Sequence, residues 1–309
     1  MSILTRITEL FAARGFRLAK QPFADPTCLG KAVRFDERLR EVVADPVNLL
    51  INRVPEAGYV DGAGNVILHN GNRVPLRGPG SYYGSFSDLL VINRGVHEPL
   101  EEYCFQQMLK GLTVSNPVML ELGSYWAHYS MWLKKAYPQA TCHLVEADVA
   151  NLEAGRENFR FNRFEGEFHQ GMVGRAGMQV DAFLREHGLD RIDILHSDIQ
   201  GFEAEMLEGA EKSLTGHRID RLFVSTHSEA LHASVEAVLR GHGYVVEISS
   251  AYDRHTTSFD GFILASAPGQ RLLMDGWSPL GRLEIAHATP ARLLASIAPR
   301  LRRVPPRGR

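Results

Sequence analysis

Val118-Met119-Leu120-Glu121-Leu122-Gly123-Ser124-Tyr125-Trp126-Ala127-His128-Tyr129 is the stretch on which the fold is decided. A short apolar run stops at Gly123, and Tyr129–Tyr137 then carries a helical pattern. That is a strand, a glycine turn and a helix in immediate succession. The same order recurs downstream. Thr141–Asp148 reads as a strand and Asn151–Asn162 as a helix, with Asn151 placed to cap it. Glu167–Val173 and Met178–His187 form a third pair, and Arg191–Ile199 and Glu203–Leu214 a fourth. The last of these helices puts Met206, Leu207, Ala210 and Leu214 on one face. Asp220–His227 and Ala230–Arg240 complete a fifth pair.

Five βα units in succession argue for an α/β fold with a parallel sheet covered by helices on both faces. Tyr244–Ser250 and Phe259–Ser266 then break the rhythm, because the polar loop between them has no room for a crossover helix. These two strands must pair antiparallel. Upstream the pattern differs. Ser2–Lys20 and Lys31–Ala44 read as helices, and Asn48–Leu76 as short strands with turns at Asp61-Gly62 and Asn70-Gly71. Gly78-Pro79-Gly80 opens an aromatic stretch with Tyr82, Tyr83 and Phe86. The expected organisation is a small α+β accessory or cap region over 1–95, the α/β domain over 96–268, and a C-terminal extension with a basic tail over 269–309.

Composition narrows the partners. The chain has 309 residues, 44% of them hydrophobic, which suits one large α/β domain with an appendage. A formal net charge of -2 offers no electrostatic footprint for nucleic acid. The local exception is Pro290–Arg309, with six arginines and no acidic residue. No segment approaches the ~18–20 apolar residues of a membrane span, and Arg6, Glu9, Arg14 and Arg17 interrupt any signal-peptide core. Cys28, Cys104 and Cys142 stand apart, with no CxxC pair to suggest a disulfide framework or a zinc site. A cytoplasmic protein is expected, and a homo-oligomer is left open.

In an open parallel sheet the ligand sits outside the carboxyl ends of the strands. A dinucleotide site would need GxGxxG after the first strand, but Tyr125 and Trp126 follow Gly123. No GxxxxGK[ST] is present either. A nucleoside without phosphates fits better. Glu146 ends the second strand 25 residues after Glu121, near the spacing at which a carboxylate accepts from ribose hydroxyls. S-adenosylmethionine has that need; the competing reading is a solvated strand-end charge.

ELGSYWAHYS (121–130), VEADVANLEAGRENFRFN (145–162), HSDIQGFEAEMLEGA (196–210) and SFDGFILAS (258–266) resemble the FkbM-type S-adenosylmethionine-dependent methyltransferases. The strongest local match is Asp198-Ile199-Gln200-Gly201-Phe202-Glu203, close to the family's Asp-x-Glu-Gly-x-Glu block. The resemblance spans about Gly95 to Ala267. It implies the class I methyltransferase fold, a doubly wound, mostly parallel seven-stranded Rossmann-like sheet ending in an antiparallel hairpin. It further implies that Glu121, Gly123, Ser124, Tyr125 and Asp198 line the methionine end of the cofactor and that Glu146 holds the ribose. Ala147 and Asp148 would lie beside the adenine, with Met172 and Val173 on its far side. Two positions depart from the pattern: the glycine loop carries aromatics and His128, and Gln200 stands where the family has Glu.

The acceptor chemistry is read from the strand ends. Methyl transfer from a sulfonium is an in-line displacement, so the protein aligns the acceptor and, for a hydroxyl, removes a proton. His196 and Asp198 end the fourth strand and His227 the fifth. His227, then His196, is the expected general base. Alternatively His196, Asp198 and His227 hold a divalent metal, the less favoured reading. The blandest account packs His196 in its strand and leaves Asp198 as a helix cap. Glu98 precedes a helix starting near Pro99, from which it could reach the cofactor's amino group. Tyr82, Tyr83 and Trp126 are expected to wall the acceptor site, with His255 and Asp260 on the final hairpin loop nearby. His128 and His143 show no partner and read as structural. The resulting expectation is O-methylation of a small molecule bearing a hydroxyl, a sugar or polyketide-type natural product. A catalytically silent relative that keeps the fold is the reading from another class.

Overall fold

The computed structural model describes residues 35–82 and 84–301. The expected helix Ser2–Lys20, Cys28, residues 31–34 of the expected helix Lys31–Ala44, Tyr83 and residues 302–309 of the basic tail lie outside the described residues.

Seven strands form one sheet: β3 (Val118–Leu122), β4 (Thr141–Glu146), β5 (Glu167–Gln170), β6 (Ile192–Ser197), β7 (Ile219–Thr226), β8 (Val245–Ser250) and β9 (Gly261–Ser266). Their order across the sheet is β5-β4-β3-β6-β7-β9-β8. The first five are parallel, while β9 runs antiparallel to both β7 and β8. This is the class I methyltransferase topology, and the order reverses between β3 and β6, where a doubly wound sheet opens a crevice.

Alternation along the strands sends side chains into two cores. On one face Met119, Ile194, Phe223 and Leu264 meet Phe105, Met131 and Trp132. On the other Leu120, Leu195, Leu222, Val224 and Ile263 meet Phe183, Met206, Leu214 and Leu239. Each such side chain, removed wholly from water, contributes roughly 1.5–3 kcal/mol. The upstream residues join the first core: Val42 of α1 (Phe35–Ala44), Leu50, and Val66, Leu68 and Val74 of a small hairpin. That hairpin pairs β1 (Asn65–Ile67) with β2 (Arg73–Pro75) around Asn70-Gly71, as the turn residues suggest. After it come α2 (Asp88–Ile92) and α3 (Pro99–Gly111). α3 starts with Pro at its first position, and Glu102 reaches back to the His97 and Glu98 N–H groups.

The crossover helices are α4 (His128–Ala136), α5 (Val149–Phe161), α6 (Val180–Glu186), α7 (Glu203–Glu208), α8 (Glu211–Thr215) and α9 (Glu229–Gly241). Two details differ from the sequence reading. Asp148, not Asn151, caps α5, accepting the Asn151 N–H at 3.0 Å. The expected helix over 203–214 is two helices. Asp181 accepts from the Lys212 and Ser213 N–H groups, capping a new start after Gly209. The chain closes with α10 (Arg282–His287) and α11 (Pro290–Ile297). None of the described helices is long and apolar enough to cross a membrane.

Candidate active site

Two adjoining cavities lie at the carboxyl ends of β3, β4 and β6. The first encloses about 240 Å³ and the second about 260 Å³. Gly123, Tyr125, Asp198 and Gln200 line both.

Gly123 is required where it stands. Its φ is +73°, and an added Cβ would fall 1.8 Å from the Asp198 carbonyl oxygen. The chain beyond it stays in unusual conformations, with Tyr125 at φ +38° and Ala127 at +65°, while Gln200 across the gap sits at +53°. Such positions cost on the order of 1–3 kcal/mol each and persist where surrounding contacts hold them. Glu146 supplies one such contact, its carboxylate accepting the Tyr125 N–H at 3.0 Å and the Asp148 N–H at 2.9 Å. It is buried, and so is not a solvated strand end. Each of its oxygens retains a lone pair for a further donor.

The second cavity is lined by Glu146, Ala147, Met172 and Val173, the residues expected around adenosine, with Asn151, Ile199 and Phe202 in addition. Asp148 is not among its lining, because its carboxylate is turned onto the Asn151 N–H. The first cavity gathers Glu98, Glu121, Ser124, Trp126, His196 and Tyr82 of the expected set. Glu121 is buried and accepts the Ser130 N–H at 3.1 Å. Burial pushes its carboxyl pKa up, against the pull of His196 and the Ser130 hydrogen bonds. Glu98 accepts the Tyr129 hydroxyl at 2.9 Å.

Asp260, expected near the acceptor, also lines it, and Phe86, His97, His128, Tyr129 and Phe259, none of them given a role there from the sequence, complete the lining. Trp126 and His128 stack at 5.0 Å between centroids and 16° between planes. His128, read from the sequence as structural, therefore belongs to the cavity wall. His255, expected near the acceptor, is not part of either lining. It contacts the Ser250 hydroxyl at 3.1 Å, beside Gly281.

The His196–Asp198–His227 group expected at the strand ends divides in two. His196 Nε2 lies 2.7 Å from Glu101 Oε1, and its ring packs on Tyr129. Burial would lower its pKa, but the hydrogen bond and charge of Glu101 outweigh that and raise it. Burial and the Glu98 charge lift Glu101 in turn to about 7. The second group is His227 with three carboxylates. Its Nδ1 lies 2.8 Å from Glu203, and its Nε2 lies 3.1 Å from Asp198 and 3.4 Å from Asp260. Burial opposes protonation here as well, yet the adjoining Asp198 carboxylate, the Glu203 hydrogen bond and the Asp260 charge carry the imidazole to about 11. Burial, then the Asp198 charge, lifts the Asp260 carboxyl well above its usual range. The surrounding carboxylates therefore favour the imidazolium form of His227, which weighs against its expected role as a free base. Glu203 and Asp260 come from α7 and from the loop before β9, so no local pattern around His227 announces them.

Residues 101–246 match the methyltransferase FkbM domain. The chain carries an FkbM-type methyltransferase domain. It is a transferase, and its cofactor is S-adenosylmethionine. Among solved structures the methyltransferase is similar to the precorrin-6y C5,15-methyltransferase of Geobacter metallireducens GS-15, at 15% identity and a TM-score of 0.39. That match covers 52% of this chain and 86% of the other. An O-methyltransferase from Bacillus cereus in complex with SAH matches at 13% and 0.40, covering 56% and 82%. TrmK of M. capricolum in complex with S-adenosyl-homocysteine matches at 12% and 0.38, covering 63% and 81%. No curated protein matches the sequence.

Proposed function

We propose that this methyltransferase methylates a hydroxyl oxygen of a small molecule, a sugar or polyketide-type natural product. The observation that carries the reading is the composition of the first cavity. Aromatic faces of Tyr82, Trp126, Tyr129 and Phe259 enclose it, and the carboxylates of Asp198 and Asp260 reach its lining. Aromatic walls suit a carbocyclic or sugar face, and carboxylates accept from hydroxyl donors.

In this reading the second cavity would take the adenosine, Glu146 holding the ribose hydroxyls and Ala147, Met172 and Val173 flanking the base. Gly123, Ser124, Tyr125, Glu121 and Asp198 would hold the methionine end, and Glu98 or Glu121 would meet its ammonium. The acceptor hydroxyl faces Asp198 and Asp260. The cofactor, when bound, would supply the electrophilic methyl group, and one of these carboxylates would take the proton from the acceptor hydroxyl. His227 does not take it; its charge holds Asp198 and Asp260 in register.

A metal-assisted variant has one supporting observation, since Asp198, His227 and Asp260 offer ligand atoms within 4.8 Å of one another. The experiment that tests the main reading is transfer of an isotope-labelled methyl group to a panel of polyols, glycosides and phenols, with product bonds assigned by NMR. An O-methyl ether is the expected product. Exclusive N- or C-methylation overturns the reading, and activity abolished by a chelator and restored by Mg²⁺ selects the metal-assisted variant.

A further inference from the structure

Behind the aromatic wall of the first cavity lies a second polar cluster that the methyl-transfer reading does not use. His69 follows the β1 strand, Glu102 lies in the first turns of α3, and His128 opens α4 directly after the glycine loop. Their relative exposures are 1%, 0% and 2%. Each offers one ligand atom within 4.8 Å of the other two.

The state of those atoms is informative. Both ring nitrogens of His69, both of His128 and Oε2 of Glu102 are buried without a hydrogen-bond partner. His69 Nε2 approaches Glu102 Oε2 to 2.9 Å, off the line a hydrogen bond needs, and His128 Nε2 stands 3.9 Å from Glu102 Oε1. Buried polar atoms are nearly always paired, so five unpaired ones on three residues, with one ligand atom from each residue converging, need an explanation. The remaining contacts fix the carboxylate. Glu102 Oε1 accepts the backbone N–H groups of His97 and Glu98, and His97 Nδ1 lies 2.6 Å away, which leaves Oε2 turned toward the imidazoles.

We propose that His69, Glu102 and His128 bind a first-row transition-metal dication of the zinc type. Two imidazoles and one carboxylate suit such an ion, whereas Mg²⁺ and Ca²⁺ take oxygen ligands. His97, holding the carboxylate from outside, is the kind of supporting contact that orients metal ligands. The ion would tie the upstream hairpin and the start of α3 to the residue that leaves the glycine loop. It would thus brace the wall that Trp126 and His128 present to the cavity. The inference is independent of which acceptor is methylated.

Two other clusters serve as internal controls: His143, Glu167 and His169 at the sheet edge, and Asp198, His227 and Asp260 at the active site. Full-length, tag-free protein is produced in zinc-supplemented medium, dialysed, and its metal content measured by mass spectrometry. About one equivalent per chain is expected to be retained. His69→Gln and His128→Gln each lose it, to below about a tenth of an equivalent, whereas Asp198→Asn and His169→Gln keep it. Far-UV circular dichroism and cooperative thermal melting establish that the variants are folded. Titration of metal-stripped wild type with Co²⁺ gives a second readout that needs no variant: a visible d–d band saturating at about one equivalent, abolished by Zn²⁺. The proposal is overturned if the wild type neither retains nor takes up metal. It is equally overturned if the ion survives His128→Gln and His69→Gln but is lost in Asp198→Asn or His169→Gln.

Discussion

The two adjoining cavities are built in opposite ways. The one proposed for adenosine draws Glu146, Ala147, Met172 and Val173 from two consecutive βα units, each residue at or just past a strand end. The one proposed for the acceptor draws Tyr82, His97, Trp126, His196 and Asp260 from segments far apart in the chain. A cofactor shared by many enzymes can be met by a short, local pattern. An acceptor is met by whatever the insertions and termini bring to the same opening, which follows from placing variable loops on a fixed sheet.

Gly123 is the point where both halves depend on one residue, so its loss is expected to have the largest effect. In Gly123→Ala the Cβ collides with the Asp198 carbonyl, and both β3 and β6 strand ends must separate. Calorimetry with S-adenosylmethionine should show affinity reduced by at least ~10², since displacements near 1 Å carry penalties of that order. Wild-type affinity in this variant would break the claim that the loop serves both cavities.

Next in size come the variants that should divide the cavities. Asp260→Asn and Asp198→Asn are expected to lower kcat by roughly 10²–10⁴, the usual range for loss of a proton acceptor. Asp260 lines only the acceptor side, so cofactor affinity should stay intact there. Glu146→Gln is the mirror experiment. Losing charge-assisted hydrogen bonds of ~1.5–3 kcal/mol should weaken S-adenosylmethionine about 10–100-fold while kcat at saturating cofactor changes little. If Glu146→Gln lowered kcat and Asp260→Asn lowered affinity, the division between the cavities would be wrong.

The same contrast explains what could be read from the sequence. Strand runs such as 192–197, wholly buried, and the glycine turn after β3 carry the apolar-run and turn signals that local physics dictates. The five parallel strands and the closing hairpin, with Glu146 at the end of β4, follow from such signals. Capping is harder, because Asp148 and Asn151 are both good caps and only the backbone decides between them. The break between α7 and α8 depends on Asp181, some thirty residues upstream of Lys212. His227 shows the limit most clearly. Its position at the end of β7 is legible, but its protonation is set by Glu203 and Asp260, which only the folded chain brings to 2.8 Å and 3.4 Å. Histidine chemistry is fixed by such neighbours, and a linear sequence names candidates without ranking their fields.

That environment yields the smallest expected effect and the most direct check on the His227 reassignment. Its ordinary pKa is 6.5, and in the folded protein it is about 11. Below pH ~6.5 both folded and unfolded chains hold the proton, so the favourable contribution of the imidazolium is fully present. Between ~6.5 and about 11 the folded state keeps a proton that the unfolded state has released. Stability must therefore fall as pH rises across that window. Melting temperature measured from pH 6 to 10 should decline in the wild type. His227→Gln should start lower by several degrees at pH 6, about what leaving a carboxylate cluster without its cation would cost, and should then decline less steeply. A free imidazole acting as base would add no pH dependence of its own, leaving wild-type and His227→Gln slopes equal above pH 7. That outcome would return the proton-accepting role to His227 and leave Asp198 and Asp260 as its supports.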